Sequence, residues 1–94
     1  MKMFMQVEAA RANTRRMAAY NRLNPLTPAV AHAVAAKCYS TETAFAVASE
    51  AVQIFGGYGL AREYPIEKMF RDARASMIED GVNEALALKA AEYL

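Results

Sequence analysis

The chain has 94 residues, and its eleven Lys or Arg against ten Asp or Glu leave a net charge of +1. That balance gives no electrostatic footprint for nucleic acid or an anionic membrane surface. A chain this short buries only roughly 60–65% of the surface its unfolded form exposes, so a partner subunit or a further domain is expected to support it. Apolar residues make up 55% of the sequence, but many are alanine, which favours helix and close helix–helix approach over a bulky core. Cys38 is the only cysteine, which excludes an intramolecular disulfide and a cysteine-based zinc site and suggests a reducing compartment. No apolar run approaches the ~20 residues of a membrane span. The segment Met1–Glu8 turns polar too quickly for a secretory signal. An intracellular, soluble helical domain is expected.

The first helix is expected from near Met3 to Leu23, with Met3, Val7, Ala10, Thr14 and Met17 on one mildly apolar stripe and most of its arginines off it. Asn24-Pro25-Leu26-Thr27-Pro28 breaks it, because each proline disfavours helical geometry in the residue before it. Thr27-Pro28 is a start signal for the second helix, a hydroxyl cap followed by proline at the first helical position. This helix is unbroken to Phe55, about 28 residues or roughly 42 Å. Gly56-Gly57 stops it, supplying the positive-φ residue that a helix C-terminus favours. Tyr58 to Tyr64 is expected as a connecting loop. Pro65 opens a third helix with Ile66, Met69, Phe70, Ala73 and Met77 as its buried face and Glu67–Arg71 as a surface ion pair. Asp80-Gly81 interrupts the pattern before a last helix with Val82, Ala85, Leu86, Lys89 and Tyr93 at helical spacing. No strand candidate alternates convincingly. The expected fold is all-α, a bundle of about four helices forming one domain over residues 1–94.

Two segments could carry chemistry. Gln53-Ile54-Phe55-Gly56-Gly57 either ends a helix or lets backbone amides approach a phosphate closely; it lacks the lysine and hydroxyl of a P-loop. Glu79-Asp80-Gly81 either caps the last helix through Asp80 or presents a carboxylate base on a bend between helices. His32 has no second metal ligand at a useful spacing and is expected as a half-buried or surface histidine. No metal site is expected, and Cys38 among apolar neighbours is expected to pack rather than to attack a substrate.

The chain resembles the C-terminal helical domain of acyl-CoA dehydrogenases. The motifs that carry the resemblance are Ala35-Ala36-Lys37 with Thr41, Ala44 and Ala51-Val52, then Gln53 through Gly59, Glu63-Tyr64-Pro65-Ile66-Glu67-Lys68, and Arg71-Asp72-Ala73. The resemblance implies an FAD enzyme that removes the α and β hydrogens of an acyl-CoA. A carboxylate takes the α-proton, the flavin accepts the β-hydride, and electron-transferring flavoprotein reoxidises it. It assigns contact with the ADP half of a neighbouring subunit's FAD to Gln53, Ile54, Phe55, Gly56 and Gly57. It also places Asp80 where many members carry the glutamate base, Gly81 beside the thioester, and Val82, Asn83 and Glu84 at a second FAD contact. Aspartate retracts the carboxylate by one methylene, a change shared by members acting on cyclic acyl-CoAs. Val82 loses a hydroxyl and Glu84 carries a charge where an amide is common.

By the same resemblance the chain begins at the second helix of the C-terminal unit and lacks the family's N-terminal helical and middle β domains. It is therefore expected to be inactive alone and to form homo-oligomers, in the cytoplasm of a bacterium by preference or in the mitochondrial matrix of a eukaryote. The alternative is a helical assembly module that kept the packing and lost the catalysis.

Overall fold

The element on which the rest of the chain is laid is α2 (Val30–Phe55), 26 residues long or about 39 Å at 1.5 Å per residue. The computed structural model describes residues 1–25 and 29–94. Within them α1 (Lys2–Leu23), α3 (Ile66–Ser76) and α4 (Asn83–Ala91) each pack on α2 and not on one another. A 3₁₀ turn, Gly56–Leu60, leaves the end of α2 and folds back against its last turns. The described residues contain four α-helices and no strand, as the sequence leads one to expect. They do not enclose one shared core. They form a rod, 49 × 26 × 17 Å, with three helices laid along a fourth.

Three contacts orient α1 antiparallel to α2: Lys2 Nζ to Glu50 Oε1 at 3.2 Å, Thr14 Oγ1 to Ser40 Oγ at 2.8 Å, and the Tyr20 ring stacked on His32 at 4.2 Å. Partner numbers fall along α2 as they rise along α1. Ala10 is the buried point of the expected stripe, while Thr14 is exposed and spends its hydroxyl on Ser40. The Asn24 side-chain amide donates to the Tyr20 carbonyl at 2.8 Å, closing the end of α1. The start signal Thr27-Pro28 lies outside the described residues.

The buried apolar positions are mostly alanines (Ala10, Ala48, Ala73 and Ala90), with Ile66 the large exception. Small residues bring the helix axes close but bury little area each, so packing is tight and hydrophobic stabilisation per contact modest. On α3, Ile66 and Ala73 are buried, Phe70 meets Phe45 at 5.2 Å between centroids, and the Arg74 guanidinium sits 5.9 Å from the Phe45 ring centre. Met69, expected on that face, is 57% exposed. A helix with one helical neighbour covers only a narrow stripe, and Met69 lies beside it.

The expected face of α4 is likewise corrected. Val82, Ala85, Lys89 and Tyr93 are exposed, and the inward residues are Asn83, Leu86 and Ala90. The phase of this helix is set by the hydrogen bonds of Asn83 rather than by its apolar residues. The Glu67–Arg71 pair forms as expected, with Nε to Oε2 at 2.8 Å and Nη2 to Oε1 at 3.2 Å. The hydrogen bond from Arg71 holds the Glu67 carboxyl below the usual carboxylate range.

The segment expected as a loop from Tyr58 begins inside the 3₁₀ turn, and Gly59 explains why. It is buried against α2, where a Cβ would stand 2.7 Å from the Val52 carbonyl oxygen and 3.1 Å from Val52 Cα. Only a glycine lets the turn lie that close. Gly57, two residues away, has nothing within 4 Å of such a Cβ. Gly59→Ala is therefore expected to destabilise the chain by about 1–3 kcal/mol, and Gly57→Ala to stay within about 0.5 kcal/mol of wild type, in urea unfolding of the two variants.

Candidate functional site

The sequence-predicted residues fall into two groups at different stations along α2. Gln53, Ile54 and Phe55 form the last turn of the helix, and Gly56 and Gly57 begin the 3₁₀ turn that follows. Asp80, Gly81, Val82, Asn83 and Glu84 form the bend and first turn of α4, which lies beside Lys37, Cys38 and Thr41 of α2. From Lys37 to Gln53 is 16 positions, or roughly 24 Å of helix. The two groups do not meet.

At the first station all five residues are exposed. Gly56 adopts φ 62°, the positive value expected of a residue that ends a helix, and its N–H donates to the Gln53 carbonyl. Nothing in the chain requires glycine at Gly57: its φ is not positive and the space around it is open. Ile54 is 70% exposed, and the rings of Phe55 and Tyr58 meet Tyr64 edge-on at 5.9 and 5.6 Å. This end of the rod is an uncovered aromatic and aliphatic surface around two glycines.

The second station is built around Asn83, a buried polar residue at 3% exposure. Lys37 Nζ donates to Asn83 Oδ1 at 2.6 Å and to the Gly81 carbonyl at 2.8 Å. Asn83 Nδ2 donates to Thr41 Oγ1 at 3.0 Å, and that hydroxyl in turn donates back to the Lys37 carbonyl at 3.0 Å. An ammonium can only donate, so it selects the amide oxygen and leaves the amide nitrogen for Thr41. Both ends of the Asn83 amide are thus engaged inside the chain. The Asn83 N–H spans the bend to the Met77 carbonyl at 3.0 Å.

Within the bend, Asp80 has φ 55°, the one positive φ of a non-glycine residue among those described, and Gly81 has φ 105°. Leu86 lies beneath, and a Cβ on Gly81 would stand 2.9 Å from its Cδ2. Asp80 is exposed and does not cap α4: the helix begins at Asn83, its N-cap is Val82, and no side chain caps it. Asp80 makes no side-chain hydrogen bond or ion pair among the described residues. Glu84 occupies the first turn of α4, where a negative charge suits the helix dipole.

From the sequence alone, Lys37 and Thr41 read only as part of a long inner helix. Their signal is a pair of polar residues one turn apart on an alanine-rich helix, a spacing that puts both on one face. Cys38 sits beside them, its Sγ 3.7 Å from the Asn83 carbonyl, and burial pushes its thiol up from the ordinary value. His32 is half-buried on Tyr20. No group of three His, Cys, Asp or Glu that could hold a metal occurs among the described residues, and no helix is long and apolar enough to cross a membrane.

An all-α rod with two glycine-built turns, one at the end of its long helix and one locked to its middle, is the class of domain that fold and site define. The chain belongs to the acyl-CoA dehydrogenase family: residues 1–94 match the model described as "Acyl-CoA dehydrogenase, C-terminal domain". It is 42% identical over 82 residues to "Acyl-CoA dehydrogenase, short-chain specific" of Megasphaera elsdenii, covering 87% of this chain and 21% of that protein. It is 42% identical over 48 residues to "Cyclohexane-1-carbonyl-CoA dehydrogenase" of Geobacter metallireducens (strain ATCC 53774 / DSM 7210 / GS-15), 51% of this chain and 13% of that one. Among solved structures, a chain of "Electron transferring flavoprotein of Acidaminococcus fermentans: Towards a mechanism of flavin-based electron bifurcation" superposes with a TM-score of 0.84 at 32% identity, over 97% of this chain and 23% of its own length. The chain spans about a fifth or less of the two dehydrogenases.

Because the thiol is partly buried and its thiolate disfavoured, Cys38 is expected to react with a disulfide reagent at pH 8 more slowly than free cysteine. Absorbance from the released thiolate, in folded and urea-unfolded chain, measures the difference.

Proposed function

We propose that this chain supplies the C-terminal helical part of an FAD-dependent acyl-CoA dehydrogenase and that Asp80 is its α-proton base. The observation that carries the proposal is the Asp80-Gly81 bend. An exposed aspartate is held in a conformation that most side chains avoid, and it neither caps the helix after it nor pairs with a cation among the described residues. Backbone strain of this kind collects at functional sites, and Asp tolerates it better than most residues. A carboxylate so placed is free to take a proton from a substrate laid against the bend. The activity proposed is that of a whole enzyme, of which these residues supply one part.

The residues fit a flavin cofactor at both stations, in different ways. Around Gln53, Ile54, Phe55, Gly56 and Gly57, an exposed apolar surface and a glycine without internal cause suit the close approach of a nucleotide. Around the bend, Asn83 is turned inward, so contact falls to Val82, Glu84 and the exposed backbone, with Asn83 holding them in place. When bound, FAD supplies the acceptor for the β-hydride. The roughly 24 Å between stations accords with each serving a different FAD, one of them the neighbouring subunit's. Electron-transferring flavoprotein is the proposed oxidant of the reduced enzyme.

The exposed apolar residues favour an assembly role as well. Phe4, Leu23, Leu60 and Leu88 are 64%, 80%, 76% and 76% exposed, and α1, α3 and α4 have bare flanks where a closed bundle would have neighbours. Such surfaces tend to be covered by association. The protein is expected to be a homo-oligomer in light scattering at micromolar concentration; a monomer would overturn this. In the complete enzyme Asp80→Asn, which keeps a residue tolerant of positive φ, is expected to slow flavin reduction by acyl-CoA about 10²–10⁴-fold. Unchanged stopped-flow kinetics of flavin bleaching would refute Asp80 as the base.

A further inference from the structure

We infer that Lys37 is a positioning residue that holds the Asp80 carboxylate in its working orientation, an inference that rests on the proposed role of Asp80. The Asp80-Gly81 bend has two successive residues at positive φ, 55° and 105°, and no intrinsic preference makes an aspartate stay there. Something must over-determine it. Four contacts do so. The Lys37 ammonium binds the Gly81 carbonyl at 2.8 Å, fixing the Gly81–Val82 peptide plane one residue beyond the aspartate. The same ammonium binds Asn83 Oδ1 at 2.6 Å, so both sides of Val82 are tied to one atom on a rigid helix. The Asn83 N–H closes the bend onto the Met77 carbonyl at 3.0 Å, and Thr41 anchors the other end of the Asn83 amide.

Lys37 sits in mid-helix, where the backbone is stiff, and its charge makes each of these bonds stronger than a neutral one. Removing it leaves the Gly81 carbonyl and Asn83 Oδ1 without their donor and lets the bend relax toward ordinary φ values. The carboxylate then samples several directions, and the productive one becomes a minority. Lys37 reaches the chemistry only through the bend, so its loss lowers the rate of proton abstraction and leaves acyl-CoA affinity as it was.

The test is Lys37→Met in the full flavin-loaded protein carrying this chain, read in two ways. Amide hydrogen exchange at Asn83 is expected to speed up about 10-fold or more, while amides in α1 keep their protection. Flavin reduction at saturating acyl-CoA is expected to slow about 10-fold, with the acyl-CoA dissociation constant changed less than about 2-fold. Unchanged exchange at Asn83, an equal rise throughout α1, or a loosened bend with an unaltered reduction rate would each overturn the inference. Should Lys37→Met fail to fold, Lys37→Gln, which keeps a donor for one of the two oxygens, carries the same comparison. If the wild-type protein shows no flavin reduction by any acyl-CoA, the dehydrogenase proposal falls, and the positioning role of Lys37 falls with it. The exchange data would then still say whether the ammonium holds the bend.

Discussion

The hydrogen bonds that join Lys37 and Thr41 to Gly81 and Asn83 are the constraint from which the second half of the chain takes its form. With the Cys38 contact beside them, they are the only side-chain hydrogen bonds among the described residues that tie α4 and its bend to α2, and all but the one to the Gly81 carbonyl are partly buried. An apolar contact between two alanine-rich helices is nearly indifferent to rotation of one helix about its axis. A buried amide with a cation on one side and a hydroxyl on the other is not, because any rotation leaves a polar group without its partner. That is why α4 turns Asn83 inward and leaves Leu88 in solvent. The phase of α4 in turn decides the path of the bend before it, and the bend decides where Asp80 stands.

The left-handed conformation of Asp80 also bears on the type of carboxylate found there. Aspartate visits positive φ several-fold more readily than most residues, because its short polar side chain can bond locally, and glutamate has no such advantage. The shorter acid therefore suits the bend as it is built. In the proposed role of Asp80 as base, the methylene that it lacks would be made up by the bend lying closer to the substrate.

Elements with a local cause were legible in the sequence. Proline placed the end of α1 and the start of α3, glycine placed the end of α2, and the Glu67–Arg71 pair follows from spacing alone. Features that depend on a neighbour were not. Met69 reads as core by periodicity and is exposed because α3 has one neighbouring α-helix. The face of α4 escapes a hydropathy reading because hydropathy cannot show that its only buried polar residue is its anchor. Gly59 reads as one more loop glycine until Val52 is seen beneath it. Of the candidate site, Asp80, Gly81 and the Gln53–Gly57 run were visible through family motifs, whereas Lys37 and Thr41 need the partner helix to acquire meaning.

The laying of three helices on one, without contact among the three, has a consequence for how disturbances travel. In a closed bundle a change in any helix is felt by all through the common core. Here a substitution in α1 can reach α4 only by bending or sliding α2, and a stiff helix transmits side-chain repacking poorly. The free energies of changes in α1, α3 and α4 should accordingly add. The chain can accumulate alterations on its α1 flank without disturbing the bend that holds Asp80, since α1 and α4 do not touch. A flank open to change and the bend held by Lys37 are thereby separated within 94 residues.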